Sequence, residues 1–175
     1  HVHLREPGQE EKETIATGCA SAARAGFTTV ACMPNTRPVN DNLEVTRFIQ
    51  EQSRQACGVD VLVVAALSRG LQSEELTDME ALKQAGVVAF SDDGRCLERS
   101  DLLGEALRRC HHLDVPLIEH AEDHRLSAGG SVHQGSRSRE LGIPGIPASS
   151  EEVAVARDIL IQQETGGHLH LTHLS

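Results

Sequence analysis

Ten histidines occur in this chain of 175 residues, beside only three phenylalanines and no tryptophan or tyrosine, so imidazole is the enrichment that calls for an explanation. Neutral imidazole is the commonest protein ligand for transition metals. His1 and His3 are two residues apart. In an extended strand both rings then project to one side and can reach one ion. Such a pair arises readily by chance in a histidine-rich chain, and His168-x-His170 is a second instance. Weight comes from convergence: Asn35, Asp92, Asp93, His120 and His173 each follow an apolar run that reads as a strand. Imidazole with few carboxylates suits zinc better than magnesium or calcium, which favour all-oxygen shells. A carboxylate has two oxygens and can bridge, so His1 and His3 could hold one ion and His120 and His173 another, with Asp93 between them. Two zinc ions about 3.5–4 Å apart can share a water, lower its pKa and present hydroxide to a carbonyl. This is hydrolytic chemistry.

The elements that must bring these residues together alternate along the chain. Helical spacing over 10–25 is followed by Gly26 and the β-branched, apolar run 27–33. The same sequence of helix, glycine and strand recurs over 43–56 with strand 61–67, and over 76–85 with strand 87–90 and the turn 91–94. A helix over 102–112 leads to strand 115–118. Ser149-x-x-Glu152 resembles a capping box opening a helix to Glu164, which Gly166-Gly167 ends before a strand over 168–174. With a first strand at residue 1, six strand starts fall roughly one βα unit apart except for a long interval containing 127–150, read as a surface excursion. Apolar strands between helices imply a parallel sheet, hence an α/β fold, either a barrel or an open doubly wound sheet. An open sheet predicts a glycine fingerprint after the first strand, and Arg5-Glu6-Pro7-Gly8-Gln9 is not one. In a (β/α)8 barrel, catalytic groups from different strands meet at the C-terminal rim. The expectation is a partial (β/α)8 TIM barrel, roughly strands 1 to 6, truncated at both ends, because the chain starts without a methionine and stops directly after a strand.

The net charge is −10 with neutral histidines, which disfavours nucleic acid or an anionic membrane surface as partner. An anionic substrate would need a local positive group. No apolar run reaches the length of a membrane span and no secretory pattern opens the chain, so a cytoplasmic location is expected. The five cysteines, Cys19, Cys32, Cys57, Cys96 and Cys110, are odd in number and form no C-x-x-C pair. They read as small buried apolar residues in a reducing compartment.

Five segments carry a family resemblance: His1-Val2-His3-Leu4-Arg5-Glu6-Pro7-Gly8, Met33-Pro34-Asn35-Thr36, Ala89-Phe90-Ser91-Asp92-Asp93-Gly94, Ile118-Glu119-His120-Ala121-Glu122-Asp123 and His170-Leu171-Thr172-His173-Leu174-Ser175. In these, and in their spacing along the whole chain, the sequence resembles bacterial type I dihydroorotase, a zinc amidohydrolase of pyrimidine synthesis. The resemblance implies a barrel with two Zn2+ per active site, His1 and His3 on the first, Asp93 bridging, His120 and His173 on the second. It leaves Asp92 to the turn or to a supporting role. It implies further that Arg5 and Asn35 bind the carboxylate of dihydroorotate, as an acidic chain handling an anion requires. The implied reaction is reversible opening of the dihydroorotate ring to N-carbamoyl-L-aspartate, with hydroxide attacking the ring amide carbonyl. The family's proton-shuttling aspartate follows the eighth strand. Residues 1–175 are therefore expected to be an incomplete amidohydrolase domain, inactive alone, with no proton-shuttling residue of their own.

Two rivals stand beside this reading. An allantoinase or hydantoinase-like cyclic amidohydrolase would use the same metals, although those families usually place a carboxylated lysine where this chain has Ser91-Asp92-Asp93. A dihydroorotase-like scaffold for aspartate transcarbamoylase would be non-catalytic, and the occupied ligand positions disfavour it. The expected partners are a small anionic substrate and either a second copy or aspartate transcarbamoylase. His111 and His112 at a helix end, and His124 and His133 in or beside the long excursion, read as surface residues. His168 and His170 project away from His173. Glu6, Glu10 and Glu11 read as solvated charge at a helix start.

Overall fold

A computed structural model describes residues 1–56 and 58–175, so Cys57 lies outside the described residues. Seven α-helices, one short 3-10 helix (Arg69–Leu71) and seven strands follow one another among the described residues. In the first half, α1 (Ile15–Arg24), β1 (Thr29–Cys32), α2 (Leu43–Gln55), β2 (Asp60–Ala65), α3 (Met79–Gln84) and β3 (Ala89–Ser91) alternate. Then come α4 (Ser100–His112), β4 (Leu117–Glu119), α5 (His124–Ser127), β5 (Val132–His133), α6 (Ser136–Leu141), β6 (Gly145–Ile146), α7 (Ser149–Thr165) and β7 (Leu169–Leu171). Strands β1, β2, β3, β4 and β7 form one parallel sheet in that order, with Ser91 opposite Ile118 and Ile118 opposite His170.

The first segment is not a full strand. Val2 alone bridges Cys32, donating to the Ala31 carbonyl and accepting from the Met33 amide, both at 2.9 Å. This single contact extends the parallel sheet by one extended stretch beside β1, with His1 and His3 flanking the bridge.

Helix starts follow their caps more than their apolar spacing. The helix expected from residue 10 begins at Ile15 because Thr14 and Thr17 form a reciprocal capping box, and residues 6–8 and 10–12 turn instead. The helix expected from residue 76 begins at Met79 behind Asp78, whose side chain accepts from the Ala81 amide, while Leu76 bridges Ser68. The capping box expected at Ser149-x-x-Glu152 is absent: Ala148 is the cap residue, without a side-chain bond, and the Ser150 hydroxyl donates to the Pro147 carbonyl. Acidic Glu151 and Glu152 in the first turn still suit the helix dipole. Gly166, in the left-handed region at φ 72°, ends α7 as expected.

Strand alternation divides the apolar residues between two faces. Val30, Cys32, Val63, Phe90 and Leu117 pack with Ile15, Ile49, Leu82, Leu103 and Leu107 of the helices in the main core. The opposite face carries a smaller cluster of Met33, Val64 and Ala89, with Ala31, Val88 and Ile118 against it. A parallel sheet with helices outside and a small apolar lining inside is the wall of a curled half-barrel, which bears out the α/β partial-barrel expectation. The excursion over 127–150 folds into short elements, β5 pairing in parallel with β6 around α6. Among the described residues no helix is long and apolar enough to cross a membrane. The described cysteines, Cys19, Cys32, Cys96 and Cys110, are all free and buried, as expected.

Candidate metal centre

All strands of the sheet run the same way, so their C-terminal ends share one rim. Asp93 leaves that rim two residues after β3, His120 directly after β4, His173 two residues after β7 and Asn35 three residues after β1. Asp93 is almost wholly buried, its side chain 2% exposed, and its two oxygens face different imidazole pairs. Oδ2 lies 3.1 Å from His1 Nε2 and 3.2 Å from His3 Nε2. Oδ1 lies 3.2 Å from both His120 Nδ1 and His173 Nε2. The structure thus brings together the five residues expected as ligands, in two groups that share Asp93, with the ligand atoms of each group within 4.8 Å of one another.

The far side of the imidazoles decides what the near side can do. His1 Nδ1 is 3.1 Å from the Thr172 hydroxyl, His3 Nδ1 is 2.8 Å from Asn35 Oδ1, and His120 Nε2 is 2.8 Å from Glu122 Oε2. Asn35 Oδ1 and the Glu122 carboxylate can only accept, which places a proton on His3 Nδ1 and His120 Nε2 and turns a lone pair inward. Inside the cluster His1 Nε2 and His3 Nε2 stand 3.3 Å apart, and His120 Nδ1 and His173 Nε2 3.0 Å apart. Inward lone pairs so close repel unless a cation or a proton lies among them. Four nitrogens and a divided carboxylate of borderline softness fit a divalent transition metal in each half.

Electrostatics point the same way. Burial raises the Asp93 carboxyl, but bonds from His120 and His173 and the charge of His3 outweigh it and hold it below the ordinary range. His120 is pushed up to about 9, chiefly by its bond to Asp93, with Glu122 adding to the effect against burial. An extra proton is thus held where a cation would sit.

Residues behind the rim explain why Asp93 stays in place. Asp92, 1% exposed, accepts from the Leu67 amide at 2.8 Å, the Ser68 amide at 2.9 Å and the Ser68 hydroxyl. It ties the end of β3 to the segment after β2. Glu119, fully buried on β4, accepts from the Leu97 amide at 2.9 Å and so anchors the loop that follows the Asp93 turn. Burial and the nearby Asp158 push the Glu119 carboxyl up to about 8.

The substrate-binding residues expected from the resemblance, Arg5 and Asn35, lie on neighbouring loops. The Arg37 amide donates to the Pro7 carbonyl at 2.9 Å, and the Gln9 side chain to the Asn35 carbonyl at 3.3 Å. Gly8 sits between them at φ 91°, where an added Cβ would stand 1.8 Å from the Arg37 carbonyl oxygen. Gly8→Ala should therefore cost about 3 kcal/mol through backbone overlap and strain. Urea denaturation of the two proteins checks this, and a change below about 0.5 kcal/mol contradicts it. Arg5 makes no side-chain hydrogen bond or ion pair with a described residue.

Several supporting residues escaped sequence reading. Glu122 follows His120 by two residues and Thr172 directly precedes His173, but neither spacing is distinctive. His124 is half-buried, not a solvated residue: α5, capped by Asp123, turns the chain back so that its ring stacks on His120 with centroids 6.2 Å apart. Glu6 is likewise engaged, accepting from the Ile15 amide at 2.8 Å. His111, His112, His133, His168 and His170 are exposed and apart from the cluster, as expected.

The family model described as dihydro-orotase-like matches residues 1–175. A dihydroorotase from Pelotomaculum thermopropionicum is 52% identical over 179 residues, covering 100% of this chain and 41% of the relative. A dihydroorotase from Solibacter usitatus is 47% identical over 175 residues, again covering 100% and 41%. The chain thus spans about two fifths of the length of these curated relatives. Among solved structures, an L-hydantoinase (dihydropyrimidinase) from Arthrobacter aurescens superposes with a TM-score of 0.77 at 22% identity, covering 100% of this chain and 40% of that one. That likeness carries the fold alone. By family match and by identity along its whole length, this chain belongs to the dihydroorotase-like family.

Proposed function

We propose that residues 1–175 are an incomplete catalytic domain of a zinc-dependent cyclic-amide hydrolase, one that interconverts dihydroorotate and N-carbamoyl-L-aspartate in pyrimidine synthesis in the cytoplasm. The observation that carries this reading is Asp93, buried, with one oxygen toward His1 and His3 and the other toward His120 and His173. Relatives named dihydroorotase at about half identity supply the substrate class. Buried free cysteines suit a reducing compartment.

In this reading His1 and His3 would hold one zinc ion and His120 and His173 the other, with Asp93 shared between the two groups. Zinc bound there would supply Lewis acidity and would lower the pKa of a water enough to make it a nucleophile toward a carbonyl near neutral pH. The chain's own residues supply placement. Arg5, an unpaired guanidinium on an acidic chain, meets the substrate carboxylate with two donors, and Asn35 adds a third. Holding that carboxylate fixes where the scissile amide stands relative to Asp93, a contribution of orientation. The carboxylates touching the cluster, Asp93 and Glu122, are both engaged by imidazoles. In this reading the aspartate that moves the proton to the leaving nitrogen is the one the family resemblance implies after an eighth strand, not one of residues 1–175, and these residues alone turn nothing over.

The test is a polypeptide carrying this chain at the full length of its relatives, analysed for zinc and assayed on dihydroorotate, hydantoin and allantoin. About two zinc ions per chain with turnover confined to dihydroorotate is expected. Turnover of hydantoin or allantoin instead moves the assignment to another cyclic amide, and absence of zinc favours a non-catalytic scaffold.

A further inference from the structure

Behind His120 and the Asp93 turn lie three charged side chains that the proposed chemistry leaves unused: Glu119 and Asp158, both 0% exposed, and Arg157, 23% exposed. Arg157 Nε donates to Asp158 Oδ1 at 2.8 Å, and Nη2 stands 2.7 Å from the same oxygen. The guanidinium also reaches out of α7: Nη1 donates to the Glu98 carbonyl at 3.1 Å, and Nη2 faces Glu119 Oε1 at 3.9 Å. One side chain thus grips the loop that follows Asp93 and the residue that precedes His120. Three further contacts run from α7 to segments carrying ligands of the same half. The Ser150 carbonyl accepts from the Asp123 amide at 2.7 Å, three residues after His120. Glu151 accepts from the Ser175 amide at 3.1 Å, two residues after His173, and Gln162 Nε2 donates to the Gly167 carbonyl at 2.8 Å, just before β7. The first half is held elsewhere: His1 and His3 flank the Val2 bridge to β1, and Asp92 ties the Asp93 turn to the segment after β2.

Two carboxylates buried with one guanidinium contribute little net stability, since desolvation offsets their attraction. Glu119 Oε2 and Asp158 Oδ2 make no hydrogen bond at all. A set of charges that stabilises so little, yet joins α7, β4 and the loop after β3, serves placement. We propose that α7 is the frame of the second half of the metal centre and that Arg157 is its positioning residue, setting Asp93 and His120 at the spacing a second ion needs while the first half assembles without it. The proposal rests on the metal reading of the cluster.

Stepwise chelator competition on the polypeptide of full length, giving the affinity of each zinc ion, is the test. Arg157→Lys keeps the charge but cannot fork between Asp158 and the Glu98 carbonyl. It should weaken one ion about 10–100-fold, the usual effect of losing an outer partner, and leave the other within about threefold of the parent. Where that variant does not fold, the combination of Arg157→Met, Glu119→Gln and Asp158→Asn leaves no lone buried charge, keeps an acceptor for the Leu97 amide and should show the same loss. In His120→Ala, where only the first half is complete, Arg157→Lys should change the affinity of the remaining ion by less than about threefold, a non-additivity that general loosening of the fold would not produce. Parent-like affinity for both ions overturns the proposal, and so does equal weakening of both or a further loss in the His120→Ala background. A parent that binds no zinc overturns the metal reading itself, and the proposal with it.

Discussion

Asp93→Asn should empty both halves of the metal centre together. The carboxylate supplies one oxygen to each imidazole pair and is the group common to both, at 3.1–3.2 Å from all four rings. An amide of the same size keeps one weaker acceptor and loses the charge that offsets two cations. His120→Ala, by contrast, removes a ligand from one half only. Zinc analysis of the purified full-length variants should therefore fall from about two ions per chain to near zero for Asp93→Asn and to about one for His120→Ala. Activity toward dihydroorotate should drop by more than the roughly 10–100-fold typical of losing an outer partner. Retention of one tightly held ion in Asp93→Asn would falsify the bridging arrangement.

Ion uptake by the chelator-treated protein should strengthen steeply with pH. Without a cation, His120 holds a proton up to about pH 9, because Asp93 and Glu122 flank its two nitrogens. A metal ion must displace that proton, so apparent affinity should rise about tenfold per pH unit between pH 7 and 9 and flatten above. Stability of the metal-free protein should move the opposite way. A histidine whose folded pKa is raised contributes stability that is complete below its unfolded pKa, near 6.5, and is lost as pH climbs through about 9. Competition titrations at several pH values, beside denaturation of the metal-free protein over the same range, check both slopes. Affinity independent of pH would show that the His120 proton does not compete with the ion.

The helices and strands were legible because their signals are local. Glycines such as Gly166 that end helices, β-branched runs that form strands, and a period near one βα unit all act within a few residues, so the parallel order of β1 to β4 and β7 follows from them. Helix starts at Ile15 and Met79 were misplaced because an apolar face continues into a turn, and only the cap hydrogen bond says where the backbone becomes helical. The first strand shrank to the Val2 bridge because pairing depends on what lies alongside.

Residue type and the end-of-strand position were enough to gather His1, His3, Asn35, Asp92, Asp93, His120 and His173 as candidates, since parallel strands deliver whatever follows them to one rim, and the family resemblance separated Asp93 from Asp92. Which oxygen of Asp93 meets which ring, and that Asn35, Thr172 and Glu122 stand behind those rings, was decided only by tertiary structure. Those contacts join residues as far as 171 positions apart through distances near 3 Å. Hydrogen bonds of that reach are governed by how strands register and loops brace one another, and no local pattern in the chain encodes them.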